Sequence, residues 1–160
     1  MTLRALLAVT TMLVPTLASA ATPLVTKAIE AEIQAKGAKA AVAELHAGPA
    51  PQWDQVLARV TQGGADWLQL ATELLGGTDA ADTEGLHGAL SSALQNNPAA
   101  VLAMLGPEVG IADVCFDRQI EPTDARHQAF IARTRAALLT VKSAELRPKR
   151  DACLAKLGSS

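Results

Sequence analysis

The sequence predicts an all-α fold, and three observations carry the prediction. Alanine and leucine dominate, with 33 Ala and 22 Leu among 160 residues, and both are strong helix formers. Residues that strands favour are scarce, with two Trp, two Phe and no Tyr. Apolar residues also recur at spacings of three and four along several segments, the mark of a helix with one buried face. Together they predict a compact array of about seven short helices arranged as antiparallel αα-hairpins. Short connections make consecutive helices neighbours. The length suits one domain.

The first twenty residues pose a separate problem. Arg4 supplies a short positive start, Ala5 to Val14 is apolar apart from its threonines, and Pro15 interrupts the run. Ala18-Ser19-Ala20 then matches a small-x-small cleavage pattern. Residues 1–20 therefore read as a signal peptide and 21–160 as a single all-helical domain. The apolar run is too short for a spanning helix, which needs roughly 20 apolar residues. Cleavage before Ala21 removes one cation, leaving 13 Lys and Arg against 16 Asp and Glu. No membrane span is expected in what remains. The expected location is periplasmic or secreted.

Export gives the cysteines a meaning. Cys115 and Cys153 are the only two, and an even pair in an oxidising compartment reads as one disulfide.

The helices follow in order. Ile29, Ile33, Val42 and Leu45 predict a helix from Thr26 to about His46, with Gly37 a weak point inside it. Ala47-Gly48-Pro49-Ala50-Pro51 is a loop by composition. Trp53, Val56, Leu57 and Val60 form the next stripe, ended by Gly63-Gly64. Trp67, Leu68, Ala71, Leu74 and Leu75 form the third, ended by Gly76-Gly77. Asp79 or Asp82 caps a fourth helix bearing Leu86, Ala89, Leu90, Ala93 and Leu94. Asn97-Pro98 starts a fifth with Val101, Leu102 and Leu105, since Asn caps well and Pro suits the first helical position. Residues 106–121 are irregular. A long helix is expected from near Pro122 to about Val141, carrying Phe130, Ala137, Leu138 and Val141. A last helix covers about Pro148 to Leu157. A Cys115–Cys153 bond would pin it to the irregular segment.

Candidate chemistry is thin. Asp79, Asp82 and Glu84 suggest a cation site, but they lack the twelve-residue spacing of a calcium loop and fit helix capping. His46, His87 and His127 show no zinc motif; Asp124 with His127, and Glu84 with His87, share helix faces at i, i+3. Ser91-Ser92 lack a nucleophile-elbow pattern. Cys115 with His127 imitates a Cys–His dyad, but the disulfide competes for the sulfur. Arg126, Arg133, Arg135 and Lys142 read as a solvated face. No metal site, cofactor or enzymatic activity is expected. A nucleic-acid partner is not expected either, because positive excess and stacking aromatics are both missing. Trp53 and Trp67 lie on apolar stripes, where core packing is the default. The alternative places one of them in a groove or interface, where Trp is enriched.

The segments Gly64-Ala65-Asp66-Trp67-Leu68, Thr78-Asp79-Ala80 and Ala93 to Leu102 resemble a group of small exported all-helical proteins of proteobacteria. The resemblance continues through Cys115 to Arg150-Asp151-Ala152-Cys153-Leu154. It implies a compartment and a helical fold and assigns no site. The leading functional expectation is a protein–protein interaction module, of immunity or inhibitor type, with a protein partner in the cell envelope. The alternative is a small apolar-ligand binder with a groove near Trp53 and Trp67.

Overall fold

The computed structural model describes residues 24–47 and 52–158. The expected signal peptide and its cleavage junction lie outside the described residues, as does most of the 47–51 loop. Helix is the regular secondary structure of the described residues, which hold no strand. Nine helices are seen among the described residues, in the order α1 (Thr26–Lys36), α2 (Ala38–His46), α3 (Trp53–Thr61), α4 (Ala65–Leu75), α5 (Ala80–Ala93), α6 (Pro98–Met104), α7 (Ile111–Val114), α8 (Asp124–Leu139) and α9 (Arg147–Gly158).

The helices depart from the sequence expectation in two places. The helix expected over 26–46 is two helices, because Gly37 takes φ 85°, a left-handed value that glycine adopts without a Cβ penalty. Its amide still closes α1 on the Ile33 carbonyl, and its own carbonyl receives the first amides of α2. The irregular segment also contains a single turn, α7, where Asp113 accepts the Gly110 amide at 2.8 Å.

The other starts follow from their caps. The Asp79 carboxylate accepts the Asp82 amide, Asn97 accepts the Ala100 amide, and Thr123 accepts the Arg126 amide. Each satisfies one of the amides that a helix start leaves without a partner.

Packing centres on α4 and α5. Helix α4 buries Leu68, Leu70, Ala71 and Leu74. Leu70 lies off the stripe read from the sequence, so α4 is covered on more than one side and touches α1, α2, α3, α5 and α6. The broadest contact is between α3 and α5, which are not consecutive. Buried apolar side chains form one cluster from Ile29 in α1 to Leu157 in α9. Helix α9 packs on α7 and α8. The Cys115–Cys153 disulfide joins the end of α7 to α9, with a Cα–Cα distance of 5.2 Å. Lys149 reinforces the C-terminal region by donating to the Leu105 carbonyl at 2.6 Å, just past the end of α6.

Candidate functional site

The segment 115–123, between α7 and α8, inverts the usual arrangement of a loop. Asp117 turns inward and Arg118 is half-buried, while the apolar Phe116 and Ile120 face solvent. Cys115 is buried in the disulfide. The Ser91 hydroxyl, on α5, donates to the Phe116 carbonyl. The Asp117 side chain is 1% exposed, and a buried carboxylate needs donors to offset its lost hydration. It has three: the Gln119 amide at 3.1 Å, the Gln119 side-chain nitrogen at 3.2 Å, and His127 Nδ1 at 2.8 Å. Arg118 donates from Nε to the Asp113 carbonyl at 2.6 Å and from Nη1 to Glu84 on α5. Thr123 ends the segment by capping α8. Between these anchors the backbone passes through Glu121 at φ 45°, an uncommon value for a residue with a Cβ. Ile120 is left 94% exposed and Phe116 39% exposed.

Behind the segment lies an open recess of about 410 Å³, lined by Glu84, Phe116, Asp117, Arg118, Gln119, Pro122 and His127. Three elements build it: the start of α5, the loop itself, and the first turn of α8. The Asp117 carboxylate only accepts, which assigns the His127 proton to Nδ1 and leaves Nε2 with its lone pair in the neutral ring. Arg118 Cζ and Lys156 Nζ each stand 6.0 Å from the centroid of the Phe116 ring. The site thus holds an oriented imidazole acceptor, a guanidinium already paired with Glu84, and an aromatic wall. The nearby hydroxyl and sulfur are committed: Ser91 to the Phe116 carbonyl, and Cys115 to Cys153. A Cys115–His127 nucleophilic dyad is therefore ruled out.

The remaining sequence candidates disperse. Asp79 caps α5, Asp82 pairs with His46 Nε2 at 3.0 Å, and Glu84 pairs with Arg118. No group of three or more potential metal ligands is found among the described residues. Helix α8 carries Asp124 and His127, but His127 turns to Asp117. His87 is buried on α5, and its Nδ1 has no partner among the described residues. Arg133 bonds to Gln95, and Arg135 and Lys142 bond to backbone carbonyls. Arg126 is exposed.

Trp53 is buried at 5% exposure, with its ring tilted against His46 at 5.2 Å. Trp67 is half-buried and packs on the core cluster. Neither lines the polar recess, nor the second, apolar one. The latter is a hollow of about 180 Å³ between α1 and α2, floored by Ile29, Ala41 and Leu45 and reached by Gln52. Sequence reasoning missed Phe116, Asp117, Arg118 and Gln119 as a group. The available signal was a charged pair, Asp117-Arg118, two residues after a disulfide cysteine in the least regular part of the chain.

No protein-family model matches the chain, and neither does any curated protein or solved structure. Among the described residues, no helix is long and apolar enough to cross a membrane.

Proposed function

We propose that this is an exported protein–protein interaction module, of inhibitor or immunity type, which meets a protein partner in the cell envelope through the 115–123 loop. The observation that carries this reading is the braced loop with Ile120 at its tip, 94% exposed. An apolar side chain held out on a loop tied down at Cys115, Phe116, Asp117 and Arg118 has lost its ordering cost before any partner arrives. Loops positioned by a rigid scaffold are where binding residues concentrate. Export is supported by the Met1–Ala20 pattern and by the disulfide, which suits an oxidising compartment.

The test is site-specific photocrosslinking in the producing cell, with the photoreactive residue at position 120 and, as control, at exposed Ala43 on α2. A discrete adduct is expected from 120 and none from 43. With that partner purified, Ile120→Asp should weaken binding by about thirtyfold or more, the size of a hot-spot loss of about 2 kcal/mol. Wild-type affinity in Ile120→Asp, or no adduct specific to position 120, would overturn the reading.

A further inference from the structure

The docking reading uses the tip of the loop and leaves the recess behind it without a role. We propose that this recess binds a neutral saccharide. The sugar's C–H face would lie against Phe116 and Pro122, and its hydroxyls would be shared among His127 Nε2, Glu84, Gln119 and Arg118.

Charge narrows the ligand from both sides. The walls hold two carboxylates, Glu84 and Asp117, against one guanidinium, Arg118, and that guanidinium is already paired with Glu84. Lys156 Nζ, 6.0 Å from the Phe116 ring, brings the fixed charges around the recess to two of each sign, so an anion finds no net attraction to repay its desolvation. A cation approaching the Phe116 ring meets Arg118 and Lys156, both 6.0 Å from its centroid. An uncharged ligand escapes both penalties. The polar groups are also of both kinds. Glu84 and His127 Nε2 accept, while Arg118 and the free amide hydrogen of Gln119 donate. Such a set suits groups that donate and accept at once, which are hydroxyls. Phe116, 39% exposed, and the ring of Pro122 offer an apolar surface to the same ligand. A pyranose combines these properties, and a volume of about 410 Å³ lies inside the range of small-molecule sites. The buried Asp117 holds the imidazole in place beforehand, so Nε2 needs no reorganisation on binding.

The test is ligand-observed saturation-transfer NMR on the whole protein with D-glucose, D-galactose and N-acetyl-D-glucosamine. Phenol and glucose 6-phosphate serve as uncharged non-sugar and anionic comparisons. Transfer to the ring C–H protons of at least one neutral sugar is expected, with a shift of the His127 Nε2 resonance in a side-chain ¹⁵N spectrum. Phe116→Ala should weaken binding at least tenfold, and Gln119→Ala should weaken it too. Because Gln119→Ala also removes one donor to Asp117, the ligand-free His127 side-chain ¹⁵N shifts are compared with wild type to check that the Asp117–His127 pair persists. No transfer to any of the three sugars would overturn the proposal. So would transfer that persists in Phe116→Ala, or transfer to phenol alone. Ile120→Asp should leave the sugar signal intact, so this proposal and the docking reading fail separately.

Discussion

At Gly77 one absent methyl group lets two helices meet. A Cβ built there collides with the backbone of Ala38 and Lys39 at the start of α2. Backbone atoms cannot swing aside as a side-chain end can. At Gly76, one residue earlier, the nearest atom to a Cβ is the Glu73 carbonyl oxygen at 3.8 Å, an ordinary contact. Gly77→Ala should therefore cost roughly 1–3 kcal/mol of unfolding free energy, the usual range for overpacking. Gly76→Ala, with helical dihedrals already in place, should lie near neutral. Chemical denaturation of the two variants checks this, and equal effects would refute the close approach as the cause. From the sequence, Gly76-Gly77 read only as a helix stop. Which glycine is indispensable depends on where α2 comes to rest, and no local pattern encodes that. The recess was hidden for the same reason. Asp117 and His127 are ten positions apart, on a loop and on a helix, so neither periodicity nor spacing links them.

Among the elements, the legible parts were those set by local physics. The stripes of α3 and α4, the Asp79 and Asn97 caps, and Pro98 at the first turn of α6 are all where apolar spacing and capping chemistry put them. Less legible was whatever a neighbour decides. Thr134 is fully buried on α8 between Phe130 and Leu138, and a polar residue in that place breaks the stripe a reader follows. Asn97 shows both kinds of information in one side chain. Its Oδ1 caps α6 through the Ala100 amide, and its Nδ2 donates to the Gly63 carbonyl at 2.8 Å, in the turn between α3 and α4. Asn96 adds a parallel bond to the Thr61 carbonyl at 2.7 Å. The cap was readable, but the bridge to another turn was not. Asn97→Asp should keep the cap and lose the bridge, at a cost of about 1 kcal/mol or more because a carboxylate then faces the Gly63 carbonyl. Asn97→Ala should lose both, at a cost of about 2 kcal/mol. Thermal melts of both variants test the division. An Asp variant as stable as the wild type would show that the Gly63 bond contributes nothing.

At the scale of the molecule, the disulfide joins the last helix to the segment that carries both proposed surfaces. Helix α9 buries only Cys153 and Leu157, and a helix with so few buried apolar contacts opens at low cost. The Cys115–Cys153 bond spans 38 residues of sequence. On the chain-entropy account a closure of that size is worth roughly 4 kcal/mol, drawn from the unfolded ensemble. In the folded state its effect is local. Cys115 is the first anchor of the loop, so cutting the bond frees α9 and the base of the Ile120 segment together. The helices of the α4–α5 centre keep their own contacts. The double substitution Cys115→Ala with Cys153→Ala leaves no stray thiol and should lower stability by up to roughly 4 kcal/mol. Hydrogen exchange should then accelerate first in 115–123 and 147–158, ahead of the amides of α4. A uniform acceleration across all helices would mean that the bond acts only on the unfolded chain. In that case the loop would owe its rigidity to the Asp117, Arg118 and Ser91 contacts alone. The localised result would mean that oxidation sets the order of the loop and, through it, the geometry on which the proposed docking depends.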